Sequence, residues 1–79
     1  NPRTAIAFDL PEPSPVRLTI HDPSGRRVRA LVDDVRGAGR NTVLWDGRDD
    51  AGRIVATGTY FARIDAGDYQ QACKMVLMK

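Results

Sequence analysis

The chain has 79 residues, 42% of them hydrophobic and 28% charged, with a formal net charge of +2. A chain of that length makes one domain near the lower end of what folds alone; it buries only about 60 to 65% of its unfolded surface and leaves little room for a deep active-site cleft. The mix of apolar and charged residues excludes a disordered tail, and no run is long and apolar enough for a membrane-spanning helix.

Thr4 to Leu10 alternates, with Ile6, Phe8 and Leu10 on one face and Ala5, Ala7 and Asp9 on the other, which predicts a half-buried strand. Pro11-Glu12-Pro13-Ser14-Pro15 cannot continue it, because each proline removes a ladder donor, and it reads as an extended crossing. Val16 to His21 resumes the alternation with Val16, Leu18 and Ile20 inward. Asp22-Pro23-Ser24-Gly25 is a turn, and Arg26 to Val32 returns as the second arm of a hairpin. Val28, Leu31 and Val32 break strict alternation, which places a bulge near Ala30 or ends the strand early.

Asp33 to Arg40, with Gly37-Ala38-Gly39 inside it, reads as a polar loop. Asn41 to Trp45 is a strand with Val43 and Trp45 on the core face, and the chain's one indole supplies the centre of a small core. Asp46-Gly47 and Asp49-Asp50-Ala51-Gly52 reverse the chain at once, since Asp closes side-chain turns and Gly supplies positive φ. Ile54-Val55 is expected as a short edge strand. Gly58 opens Thr59 to Ala66, where Tyr60, Ala62 and Ile64 share one face and Phe61, Arg63 and Asp65 the other. Gly67-Asp68 turns into Tyr69 to Met78, with Tyr69, Gln71, Cys73, Met75 and Leu77 on one side.

Nine of the ten acids are Asp, the acid that turns favour and helices do not, and no window carries apolar residues at helical spacing for three turns. The chain therefore reads as all-β: six or seven antiparallel strands in a small sandwich, with a partly open barrel as the competing geometry.

The chemistry-bearing residues are few. Asp46, Asp49 and Asp50 are the candidates for a cation, but they lack the alternate-residue spacing of a calcium loop and Arg48 sits among them, so turn capping is the simpler reading. His21, the single histidine, has no serine, cysteine or acid placed to make a triad with it. Cys73 cannot form an internal disulfide and sits in an alternating run as a small hydrophobe. Arg17, Arg26, Arg27 and Arg29 cluster on one hairpin, and with Lys74 and Lys79 they are the partner-facing candidates. Interleaved acids and inward aromatics argue against nucleic acid, and Arg36-Gly37-Ala38-Gly39-Arg40 lacks the Lys-Ser/Thr pair of a phosphate loop. Neither a catalytic centre nor a cofactor is expected. The chain opens on Asn1 rather than methionine, which is expected of a piece excised from a longer protein.

Asp22 to Val32, Gly39, Val43 to Arg53, Gly58-Thr59-Tyr60-Phe61 and Lys74 to Leu77, in that order, resemble the Ig-like domain of the flagellar hook-capping protein FlgD. They also resemble its relatives at the C-termini of secreted bacterial proteins, including the type IX secretion sorting domains, and Asn1-Pro2, Thr4, Ile6, Phe8 and Leu10-Pro11 fit that group's opening. The resemblance covers nearly the whole chain. It implies a single Ig-like β-sandwich over residues 1–79, with Gly25, Trp45, Asp46, Gly47, Gly52, Gly58 and Tyr60 as markers of the fold and Arg26 and Lys74 as exposed cations. It also implies the C-terminal part of an exported bacterial protein, secreted or at the cell surface, with protein partners and no insertion into the membrane.

Three roles follow from that reading. The first is a secretion, sorting or surface-attachment domain; the second is an assembly subunit of a cap or filament associating through sheet edges. A carbohydrate or surface-ligand binding module comes third, because it needs exposed aromatics and Trp45 is expected inside.

Overall fold

The computed structural model describes residues 3–78, so Asn1-Pro2 and Lys79 lie outside the described residues. Six strands follow one another: β1 (Thr4–Leu10), β2 (Ser14–His21), β3 (Arg27–Arg36), β4 (Gly39–Trp45), β5 (Gly58–Ala66) and β6 (Tyr69–Leu77). β1 and β4 pair antiparallel as one sheet, and β3-β2-β5-β6 form the other, again with every pair antiparallel. Two sheets sharing one core make this a sandwich and not a barrel.

The alternation explains which faces meet. Ile6, Phe8 and Leu10 of β1 and Trp45 of β4 pack with Val16, Leu18 and Ile20 of β2, Val32 of β3, Tyr60, Ala62, Ile64 and Ala66 of β5, and Leu77 of β6. β2 holds the middle because it pairs with β3 on one side and β5 on the other, and its Leu18 and Ile20 are 0% exposed. At Pro15 the ladder to β5 has not yet begun, since β2–β5 pairing starts at Val16 opposite Ala66. On its other side Pro15 lies opposite Val35 of β3. Val43 is half-buried rather than enclosed, and on β6 only the Leu77 end of the expected inward face is fully covered.

Two expectations need correction, and β3 decides between two alternatives. Asp33 to Arg36 is strand, not loop, and the connection to β4 is only Gly37-Ala38. Its polarity misleads because β3 is a sheet edge, where Asp33 lies opposite Arg17 and Arg36 pairs with Asp34 at 2.9 Å. Of the two alternatives for this strand the bulge near Ala30 holds and the early end does not, and a second irregularity accompanies it. Leu18 faces Val32 while Thr19 faces Ala30, and Ile20 faces Arg29 while His21 faces Arg27, so Leu31 and Val28 are the extra residues. Ile54-Val55 makes no strand. A single bridge joins Ile54 to Arg48, and Ile54 is 54% exposed, so the segment is the return arm of the loop after Trp45.

Candidate functional site

Several of the residues marked by the sequence meet at one end of the sandwich, where two turns of the same construction stand side by side. Asp22-Pro23-Ser24-Gly25-Arg26 and Asp49-Asp50-Ala51-Gly52-Arg53 share the pattern Asp-x-Ser/Ala-Gly-Arg. In the first, the Asp22 N–H donates to the Arg26 carbonyl at 3.0 Å and the Gly25 N–H to the Asp22 carbonyl at 2.9 Å; in the second, Asp49 to Arg53 and Gly52 to Asp49 are both 2.9 Å. Asp22 Oδ1 accepts the Ser24 and Arg26 N–H groups, each at 3.0 Å, and Asp49 Oδ1 accepts those of Ala51 and Arg53 at 3.0 and 2.9 Å. Gly25 and Gly52 close the two turns at φ +89° and +83°, a region that side chains avoid. The sequence reading saw two turns and missed that they are one motif used twice. The repeated Asp-x-Ser/Ala-Gly-Arg string was the signal.

Hydrogen bonds to the ionised carboxylates lower both acid pKa values. For Asp22 the Ser24 hydroxyl contributes most, with the Arg26 and Ser24 N–H groups behind it, against desolvation that pushes the other way. For Asp49 the Arg53 N–H leads, again opposed by desolvation and aided by the Ala51 N–H and the Arg53 charge. Both folded pKa values lie below the unfolded value of about 3.9, so their contribution to stability is fully present above that pH and is lost as pH falls through the depressed folded values. Denaturant midpoints measured from about pH 6 downward should hold steady and then fall below about pH 4. Replacing both by Asn, which keeps the acceptor oxygen and removes the charge, should shrink that acid-side fall.

The second turn is also a clamp on β3. The Asp50 N–H donates to the Val28 carbonyl at 3.0 Å, and Asp50 Oδ1 accepts the Ala30 N–H at 2.9 Å. One residue thus occupies the donor and acceptor that the bulged edge leaves free. Arg27 pairs with Asp50 at 3.3 Å, and Arg29 Nη1 donates to Asp46 Oδ1 at 3.3 Å and to the Arg48 carbonyl at 3.2 Å. The Arg48 carbonyl also accepts the Trp45 indole N–H at 2.9 Å, and the Tyr60 hydroxyl donates to the Ala56 carbonyl at 2.6 Å. Trp45 and Tyr60 meet edge to face, with ring centroids 5.2 Å apart and planes at 74°. Two core aromatics therefore hold the loop of residues 46–56 at both ends by their polar tips. Asp50→Ala should cost about 0.5 to 1.5 kcal/mol, because it removes the hydrogen bond to the Ala30 N–H at an exposed edge, and urea unfolding would measure it.

Asp46, Asp49 and Asp50 come together here, each already accepting a backbone N–H and paired with arginine. This is the chemistry of turn capping. Between the turns lies an open concavity of about 360 Å³ whose lining includes Asp22, Arg26, Asp49, Arg53, Val55 and Tyr60. Among the described residues no group of three or more His, Cys, Asp or Glu is arranged to hold a metal ion.

The remaining candidates lie elsewhere. Of the hairpin arginines, Arg27 and Arg29 are engaged by the clamp, while Arg17 lies on the outer sheet face in a groove with Thr19, His21, Arg27, Arg63 and Asp65. His21 contacts the Thr19 hydroxyl at 2.9 Å and the Gly25 carbonyl at 3.2 Å, a bridge between β2 and its turn. Lys74 is exposed on β6, Cys73 beside it is half-buried and free, and Gly47 and Gly58 take positive φ at 78° and 148°. Trp45, Tyr60 and Phe8 are buried, which leaves Tyr69, 46% exposed, and half-buried Phe61 as the aromatics near the surface.

Comparison with known proteins agrees with this architecture. The crystal structure of FlgD from P. aeruginosa superposes with a TM-score of 0.75 at 24% identity, over 95% of this chain and 59% of that one. The chain thus spans somewhat over half the length of that solved protein. No curated protein matches the chain. The FlgD Ig-like domain family model matches residues 2–70, and the chain belongs to that family.

Proposed function

We propose that this domain is a structural, non-catalytic β-sandwich module, the C-terminal part over residues 1–79 of a longer exported bacterial protein, and that it works through protein–protein contacts in an extracellular or surface assembly. The observation that carries the reading is the site itself together with the family. The charged residues that a catalytic or metal centre would need are engaged in capping two turns and clamping an edge. What the fold leaves open is sheet edge and outer face. FlgD, which a solved relative represents, is the family's namesake, and a hook-cap type of assembly is the role carried over from it.

The competing reading is a sorting or attachment domain recognised by export machinery, supported by the resemblance of residues 22–32 and 43–53 to the C-terminal domains of secreted proteins. A competition experiment separates the two. The domain of residues 1–79 is fused to an export signal of its own and produced in excess in cells that make the longer protein. Assembly predicts that the longer protein is still exported while its incorporation into the complex falls with dose. A drop in export with assembly per exported molecule unchanged would replace the proposal with the sorting reading.

A further inference from the structure

The four-stranded sheet has two edges of opposite character. β3 is protected: it carries two bulges, the charges Arg27, Arg29, Asp33, Asp34 and Arg36, and Asp50 seated on its free groups. Among the described residues, β6 has neither bulge nor clamp, and it carries a single charge where β3 carries five. Its nine residues Tyr69–Leu77 pair with β5 without a register shift, contain no proline, and include one charge, Lys74. Tyr69 is 46% exposed and Val76 59% exposed at its two ends. An edge of this kind is a template for another strand.

We propose that β6 is a self-association edge, and that a second copy of this chain adds its own β6 antiparallel in the register that places Cys73 opposite Cys73. The inference rests on the assembly reading and names its surface and partner. The strand's own sequence chooses the occupant. Cys73 is the midpoint of Tyr69–Leu77, so this register alone pairs all nine residues with their symmetry mates. It sets Lys74 opposite Ala72, Met75 opposite Gln71, Val76 opposite Gln70 and Leu77 opposite Tyr69, so no like charges meet and the two ends become apolar pairs. Centring the pair on Lys74 instead would oppose two ammonium groups. Because facing residues differ by an even number, the core faces of both copies stay on one side, and the two four-stranded sheets continue as one of eight. The geometry is that of a two-fold, self-complementary interface.

The register makes the test specific. Ala72 is exposed on the outer face. Ala72→Glu sets a carboxylate opposite Lys74 twice per dimer and also faces Arg63 of β5, whereas Ala72→Lys sets a second cation there. Sedimentation equilibrium of the chain should show a reversible dimer whose dissociation constant falls roughly threefold to tenfold with Ala72→Glu and rises by a similar factor with Ala72→Lys. Val35→Lys on the opposite edge should leave it unchanged, and circular dichroism should show all three variants folded. A short bis-maleimide should link Cys73 to Cys73, which sit about 4.5 to 5.5 Å apart between Cα atoms in directly opposed positions. A strict monomer at millimolar concentration, or a dimer indifferent to both Ala72 variants and not linked through Cys73, overturns the proposal. A monomer that still competes for assembly in cells would overturn the β6 pairing alone and leave the assembly role standing.

Discussion

Trp45→Ala should cost the domain a large share of its stability. The indole is 0% exposed, packs edge to face on Tyr60, and fixes the Arg48 carbonyl that also receives Arg29. Removing a buried aromatic of this size costs about 3 to 5 kcal/mol. A chain of 79 residues has roughly 4 to 12 kcal/mol of stability in total, so the loss takes between about a quarter and all of it. Trp45→Phe separates the two contributions. It keeps an aromatic against Tyr60 but deletes the N–H donor, and it should leave a folded protein weakened by about 1 to 3 kcal/mol. In that variant the loop of residues 46–56 should exchange its amide protons faster than the strands do. Chemical denaturation and hydrogen exchange read out both effects.

Leu18→Ala carries the second large effect. Leu18 is 0% exposed on the strand that pairs to both sides, opposite Val32 on β3 and Ile64 on β5. Truncation leaves a cavity that two ladders hold open, at about 2 to 5 kcal/mol. Leu44 offers the contrast: it lies on β4 at 60% exposure, facing away from the core, and Leu44→Ala should stay within about 0.5 kcal/mol of the parent chain. Urea unfolding of the two variants side by side checks the orientation of both sheets. Equal losses would mean that the core had been assigned to the wrong faces.

Much of this was legible in the residues, and the reasons are physical. β1, β2 and β5 alternate because each has one face on the core, and their inward residues were readable one by one, although Thr19 on β2 is buried as well. Trp45 followed from size, and the turns followed from Asp and Gly. Edge strands were harder. Asp33 to Arg36 buries little and so loses the alternation that marks a strand, while Ile54-Val55 is apolar yet mostly packs as a loop return. The site was legible only in part. Sequence spacing grouped Asp46, Asp49 and Asp50, and the partners of Asp49 are local, but Arg29 beside Asp46 and Arg27 and the Ala30 N–H beside Asp50 come from a strand about twenty residues earlier. Local pattern carries no record of such long-range pairing. The duplication of the Asp-x-Ser/Ala-Gly-Arg turn was legible, since both copies stand in the sequence in full.

The arginine-rich hairpin illustrates why composition alone misdirects. Four arginines close together look like a free cationic surface, yet Arg27 and Arg29 neutralise the aspartates that close the neighbouring loop. Exposed pairs of this sort contribute little stability individually. Their effect here is positional, because they orient the loop whose Asp50 covers the β3 edge. An edge closed in this way is withdrawn from strand addition.

The most direct measurement of the central claim is made on the longer protein with residues 1–79 deleted, following its export and its assembled state in the same cells. A structural assembly module predicts that the truncated protein reaches the outside in normal amount and remains unassembled. Retention of the truncated protein inside the cell, with whatever escapes assembling normally, would contradict the account.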